Sequence, residues 1–137
     1  MTQDSNIKLN HPEVYQFFLV YWDFAKKYWE VVADEDWWNS FVSDYMTYTM
    51  EYGENNFFME LLQLLFEKNK SNIDCGTKAD MVAFLKEWWA YVNEFYETIE
   101  EAEFWKGFFT KTKEMQKKYK NNFFYVGMID LFVDMKV

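Results

Sequence analysis

The sequence predicts an all-α domain of six helices, arranged as two pseudo-symmetric three-helix repeats packed into one domain. Three observations predict it. The first is a doubled register. At an offset of 67, Phe17 pairs with Phe84, Trp22 with Trp89, Glu30 with Glu97, Trp38 with Trp105, Phe41 with Phe108 and Tyr52 with Tyr119. Between these identities rings exchange for rings: Tyr21 for Trp88, Phe24 for Tyr91, Tyr28 for Phe95, Trp29 for Tyr96 and Trp37 for Phe104. One residue is lost near Gly53, and at an offset of 66 the two NNFF segments pair, Asn55 to Phe58 with Asn121 to Phe124. The second observation is apolar recurrence at helical spacing throughout. The third is a polar linker, Asn69 to Thr77, which carries Gly76 and divides the two copies.

A period this long exceeds solenoid units of about 20–50 residues, so each copy reads as half of one domain. Repeat 1 spans about 12–68, the linker about 69–78 and repeat 2 about 79–136. Either copy alone, at about 55 residues, buries too little surface for comfortable stability, and the pair does not have that problem. Aromatics make up 23% of the chain. At about 1.5–3 kcal/mol per fully buried large side chain, that is more apolar material than one small core needs, so some rings should reach the surface.

Residues 1–10 are polar. Asn10, Pro12 and Glu13 mark a helix start, and helix 1 is expected to run to about Val32. Phe17, Tyr21, Phe24, Tyr28 and Val31 form one stripe of it, and Phe18, Trp22, Ala25 and Trp29 a second beside it. Asp34, Glu35 and Asp36 favour the start of helix 2 by charge. That helix covers about 35–52, with Trp38, Phe41, Val42, Tyr45 and Tyr52 facing inward and Gly53 at its C-cap. Asn55 caps helix 3, where Phe58, Leu61, Leu62, Leu65 and Phe66 recur. Thr77 and Asp80 stand in capping-box spacing. Helices 4, 5 and 6 follow at about 79–99, 101–119 and 122–135. TIEEAEFW carries no Gly or Pro, so one longer helix competes with the break between helices 4 and 5.

Charge and residue types exclude much chemistry. The net charge of −9 argues against direct nucleic-acid binding, which needs a basic face. No apolar run approaches the length of a spanning helix, and the N-terminus lacks a basic-then-apolar signal pattern, so the expectation is cytoplasmic, with no membrane partner. Cys75 is the single cysteine, in the linker, and offers no disulfide framework. His11 is the single histidine and reads as a capping or surface residue. With one histidine the Glu-x-x-His pairs of a di-iron bundle cannot be built, and a Ser-His-Asp or Cys-His arrangement would have to use His11, which nothing nearby supports. No Gly-rich phosphate loop or Cys/His metal spacing is present. No cofactor, no metal and no catalytic set are expected.

Candidate binding residues are acidic. Residues 14–68 hold ten acids and three lysines, or −7, whereas residues 81–136 hold nine acids and eight lysines, or −1. Asp34, Glu35 and Asp36 beside Trp37 form one corner, and Glu97, Glu100, Glu101 and Glu103 an equivalent one. Helical spacing would place Glu94, Glu97 and Glu101 on one side, which reads first as a solvated face and second as a divalent-cation site. Lys111, Lys113, Lys117, Lys118 and Lys120 make helix 5 basic on its outer side, balancing the acidic corners or meeting a partner's acids. In the Trp37-Trp38 and Trp88-Trp89 pairs, adjacent rings point about 100° apart, so one of each pair reads as core and the other as lining a groove or contact surface.

At YKNNFF and its following apolar helix, and at the aromatic YW…KKYW…DEDWW stretch, the sequence resembles a loose group of small acidic helical proteins. These are carried on conjugative elements and phages of low-GC Gram-positive bacteria. The resemblance implies mobile-element biology and carries over no catalytic residue. Small acidic proteins of such elements include inhibitors of host defence, anti-CRISPR proteins among them. The leading expectation is therefore a non-enzymatic protein-binding module for a partner with a basic surface, such as a nucleic-acid-handling host enzyme. A structural protein that dimerises with itself is the alternative, followed by a small-molecule binder with its pocket between the repeats.

Overall fold

The computed structural model describes residues 11–137, with His11 described by its backbone alone. The described residues form six helices: α1 (His11–Tyr28), α2 (Glu35–Tyr52), α3 (Asn56–Lys70), α4 (Lys78–Phe95), α5 (Ala102–Lys118) and α6 (Phe123–Lys136). The expected cap at Asn10 and the role assigned to the His11 side chain lie outside the described residues.

Three caps follow from local chemistry. Asn55 accepts from the Phe58 amide at 3.0 Å, and Asn122 from the Tyr125 amide at 3.1 Å. Thr77 and Asp80 close a reciprocal capping box on α4. Each bond satisfies an amide that the first helical turn leaves without an intrahelical acceptor. Gly53 ends α2 at φ −69°, so the left-handed glycine cap is not used there. Gly76 does need its freedom, with φ at +93° and its carbonyl accepting from the Trp29 indole at 2.9 Å.

The caps correct the sequence alignment. The two capping asparagines are Asn55 and Asn122, 67 apart, and the starts of α1 and α4, α2 and α5, and α3 and α6 keep that same spacing. By cap position the two NNFF segments therefore stand one residue out of step with each other. The second asparagine of the second segment caps, and the place of Phe58 is taken by Tyr125 rather than Phe124.

Two helices end earlier than their periodicity implies. The first stops at Tyr28 instead of near Val32, and the fourth at Phe95 instead of near residue 99. Distant side chains take the terminal carbonyls. Lys68 donates to the Trp29 carbonyl at 2.6 Å and Asn69 to that of Tyr28 at 3.0 Å, while Lys136 donates to the Tyr96 carbonyl at 2.5 Å. Carbonyls of a last turn lack helical partners and favour a cation. The break at 96–101 also rules out the single long helix over α4 and α5. The linker is shorter than expected, because α3 runs on to Lys70 and buries Asn69 completely.

Rings build the core. Phe17 stacks on Phe58 at 4.0 Å with Tyr52 edge-on at 5.1 Å, and Phe84 stacks on Tyr125 at 4.3 Å with Tyr119 edge-on at 5.0 Å. Phe24 stacks on Phe41, and Tyr91 on Phe108. Contacts then cross between residues 11–70 and 78–136. Tyr21 of α1 stacks against Phe124 of α6, and Trp88 of α4 against Phe57 of α3. Such pairs contribute about 0.5–1.5 kcal/mol beyond the area they bury. The third and sixth helices pack closely because α6 offers Gly127, where a methyl group would stand 2.8 Å from Leu64. Where α1, α3 and α4 meet, the gap among Val14, Phe18, Phe57 and Trp88 has no room for a water molecule.

Candidate partner-binding surface

The acidic residues of the two corners lie in or beside the turns that precede α2 and α5. Asp34, Glu35 and Asp36 are exposed around the N-terminus of α2, and the Asp34 side chain makes no capping bond. The Trp37 ring lies half-buried, edge-on to Tyr28 at 5.6 Å and stacked on Phe41 at 5.5 Å, so it covers the core rather than projecting as an anchor. Glu97, Glu100, Glu101 and Glu103 are exposed along the turn between α4 and α5 and in the first turn of α5. Because α4 stops at Phe95, Glu94 is helical whereas Glu97 and Glu101 are not, and the three do not share a helix face. Among the described residues no group of three or more His, Cys, Asp or Glu converges as a metal site. No described helix is long and apolar enough to cross a membrane.

The expectation that Val42 faces inward is corrected. Val42, Met46 and Met50 are exposed, at 37%, 57% and 85%. Steps of four residues move about 40° around a helix, so this row starts beside the half-buried Trp38 and turns away from the core at Phe41. The signal lay in the sequence as two methionines at i and i+4 after Val42, on a helix without a lysine. Of the three, the sequence reading places only Val42, on the inward side, because it adjoins Trp38 and Phe41 in the apolar pattern. Scattered exposed apolar side chains are ordinary, whereas a contiguous row marks contact surface.

The matching positions of α5 differ. Trp105 and the exposed Phe109 stack at 5.8 Å, and Lys113 and Lys117 follow where α2 has Met46 and Met50. Lys106, Lys113 and Lys117 are exposed. Lys118 instead donates to Glu87 at 3.2 Å, and Tyr119 donates to the same carboxylate. Burial acts to raise the Glu87 pKa, but those two donors outweigh it and hold the carboxyl below its ordinary value.

Two interior groups, Lys68 and Cys75, carry ionisable side chains. Lys68 is 4% exposed, lies 4.0 Å over the Trp29 ring and donates to the Asn69 side chain at 3.1 Å. Burial lowers its pKa. Its bond to the Trp29 carbonyl and its place over the Trp29 ring make it a cap on the end of α1. Cys75 is buried, and burial pushes its thiol above the ordinary value, which opposes thiolate chemistry. Compared with protein-family models, curated proteins and solved structures, the chain has no match in any of the three.

Proposed function

We propose that this protein is a non-enzymatic binding module that docks on a partner protein of basic surface. Its docking face is the outward side of α2 with the acidic turn before it. The observation that carries this reading is the exposed row Val42, Met46 and Met50, bordered by Asp34, Glu35 and Asp36 and free of lysine. The apolar row supplies buried area and the acids supply orientation and association rate. A nucleic-acid-handling enzyme is the partner class this face suits, since its phosphate-binding groove is basic, and occupancy of that groove would inhibit it. This is the anti-defence role that the resemblance to mobile-element proteins implies, exercised in the cytoplasm. Surface-immobilised protein should bind at least one of a panel of such enzymes, more weakly at high salt and not at all after Met46→Lys with Met50→Lys. A panel with no salt-sensitive binder removes the proposal.

We also infer that the two halves are copies of one three-helix unit related by a pseudo-twofold axis. Support comes from the constant 67-residue spacing of helix starts and caps, and from the Phe17/Tyr52/Phe58 and Phe84/Tyr119/Tyr125 trios. The crossed pairs Tyr21–Phe124 and Phe57–Trp88 fit a self-complementary interface, in which each contact recurs with the roles exchanged.

A further inference from the structure

We propose that the docking face of α2 continues into a groove across α3, and that this groove receives a basic amphipathic helix of the partner protein. Two cationic side chains of that helix, seven residues apart, are set against Glu60 and Glu67. This rests on the reading of α2 as the docking face and names the element that fills it. The groove holds about 510 Å³ over α3, between Tyr45 of α2 and Gly127 and Leu131 of α6. Tyr45 stacks on Phe66 at 4.6 Å, and these two rings with Leu64 and Leu131 give the groove an apolar floor. Gly127 keeps it open, since α6 carries no side chain there, where α3 has Glu60 at the 67-residue spacing. Val42 and Met46 stand about 60° and 100° around α2 from Tyr45, on the side away from the buried Phe41. The exposed row and the groove are thus one surface.

Charge and backbone chemistry together limit the occupant. Glu60 and Glu67 are exposed along α3, and no described lysine lines the groove. Lys70 stands one turn beyond Glu67 and outside the lining, and Lys113 and Lys117 belong to α5, which contributes nothing to it. The charges of α6 nearest Leu131 in the chain are acidic too: Asp134 is exposed, and Asp130 accepts from Gln116 at 2.9 Å. Glu67 takes the Ser71 hydroxyl on one oxygen and keeps the other for a partner. The walls are helices without an unpaired backbone edge. An extended segment over this floor would leave its own amides unsatisfied, whereas a helix satisfies them internally. Seven residues span about 10 Å of α3, and the same step on a helix laid alongside repeats that distance. Arginine suits both places, because its stem covers apolar floor while its guanidinium stacks on a ring or takes a carboxylate in two bonds.

Fluorescence anisotropy of the full chain tests this with a labelled helical peptide of alanine and leucine that carries two arginines seven residues apart. The peptide should bind, and more weakly as salt rises. Glu60→Lys with Glu67→Lys should weaken it about tenfold or more. Asp23→Lys with Glu94→Lys changes the net charge equally on α1 and α4, which contribute nothing to the groove, and should leave affinity within about twofold. All four positions are exposed, and circular dichroism checks that both variants fold. A peptide that does not bind, or that loses as much affinity to the second pair as to the first, overturns the inference. So does sedimentation in which the unmodified protein pairs with itself and Glu60→Lys with Glu67→Lys parts it, since a second copy then fills the groove. An enzyme of the panel lost to Met46→Lys with Met50→Lys, but held unchanged by Glu60→Lys with Glu67→Lys, overturns the groove and leaves the reading of α2 standing. Peptide binding as expected, when no enzyme of the panel binds, supports the groove and removes only the enzyme as its partner.

Discussion

The turn between α1 and α2 and the turn between α4 and α5 show the same ring framework with opposite polar fittings. At the first, Tyr28 donates to Asp44 at 2.5 Å and shares a 2.6 Å hydrogen bond with Ser40, and Lys27 reaches the same carboxylate at 3.2 Å. Asp44 is the main cause of a raised Lys27 pKa. At the second, 67 residues on, stand Phe95, Gly107, Lys111 and Glu94. The hydroxyl, both its partners and the lysine have all been replaced. A different polar pair lies inside the second half, Tyr91 with Thr112 at 2.5 Å, where the first half has Phe24 and Tyr45. Polar groups thus arrive and leave in sets, because a buried donor or acceptor without its partner costs about 1–3 kcal/mol. Most of the rings around them have a counterpart 67 residues on, as Phe41 has Phe108 and Trp37 has Phe104.

If the halves share one packing plan, Phe41→Ala and Phe108→Ala should each cost about 3–5 kcal/mol and agree within about 1 kcal/mol. Both side chains are fully buried. Urea unfolding in which one variant is nearly silent would break the comparison.

Alkaline pH should separate the halves next. Burial, partly opposed by the hydrogen bond with Thr112, raises the Tyr91 pKa to about 12. Its folded pKa lies above its unfolded one, so its contribution is complete below pH 10 and is lost as pH climbs from 10 to about 12. A rise of about two units corresponds to roughly 3 kcal/mol. Tyr91→Phe should flatten the loss across that window, measured by urea titrations at each pH. An unchanged slope in the variant would assign the loss elsewhere, for instance to Tyr21, whose pKa burial also raises.

Tyr125 breaks the rule of paired polar groups. Its hydroxyl is buried with no hydrogen-bond partner, while Phe58 fills the corresponding stack with no hydroxyl at all. Tyr125→Phe should therefore raise stability by about 1–3 kcal/mol. Destabilisation on calorimetry would show that the hydroxyl has an acceptor after all.

The smallest effects test the register. Asn55→Ala and Asn122→Ala should each cost about 1 kcal/mol as lost caps, whereas Asn56→Ala and Asn121→Ala should stay within about 0.5 kcal/mol. A larger cost at Asn121 than at Asn122 would restore the offset of 66.

Much of this was legible in the chain. The bounds of α2, the Asn55 cap, the Thr77–Asp80 box and most of the core stripes are local statements, set by a helical period of 3.6 residues and by side chains reaching their own backbone. The candidate surface was half legible. The acids at 34–36 and 97–103 are exposed, as charge by itself suggests, but the row on α2 was not legible, since a valine beside Phe41 looks like core until its neighbours are placed.

The sequence by itself determined that this chain is helical, where most of its helices begin, and that many of its rings recur 67 residues on. Tertiary structure alone decided where α1 and α4 end, which asparagine of the second pair caps, and which side of α2 is left uncovered. The reason is range. A helix start is satisfied by side chains within a turn of it, whereas the carbonyls of Trp29 and Tyr96 are taken by lysines some forty residues away. Whether Met46 is core or surface depends on which helix arrives to cover it, and none does.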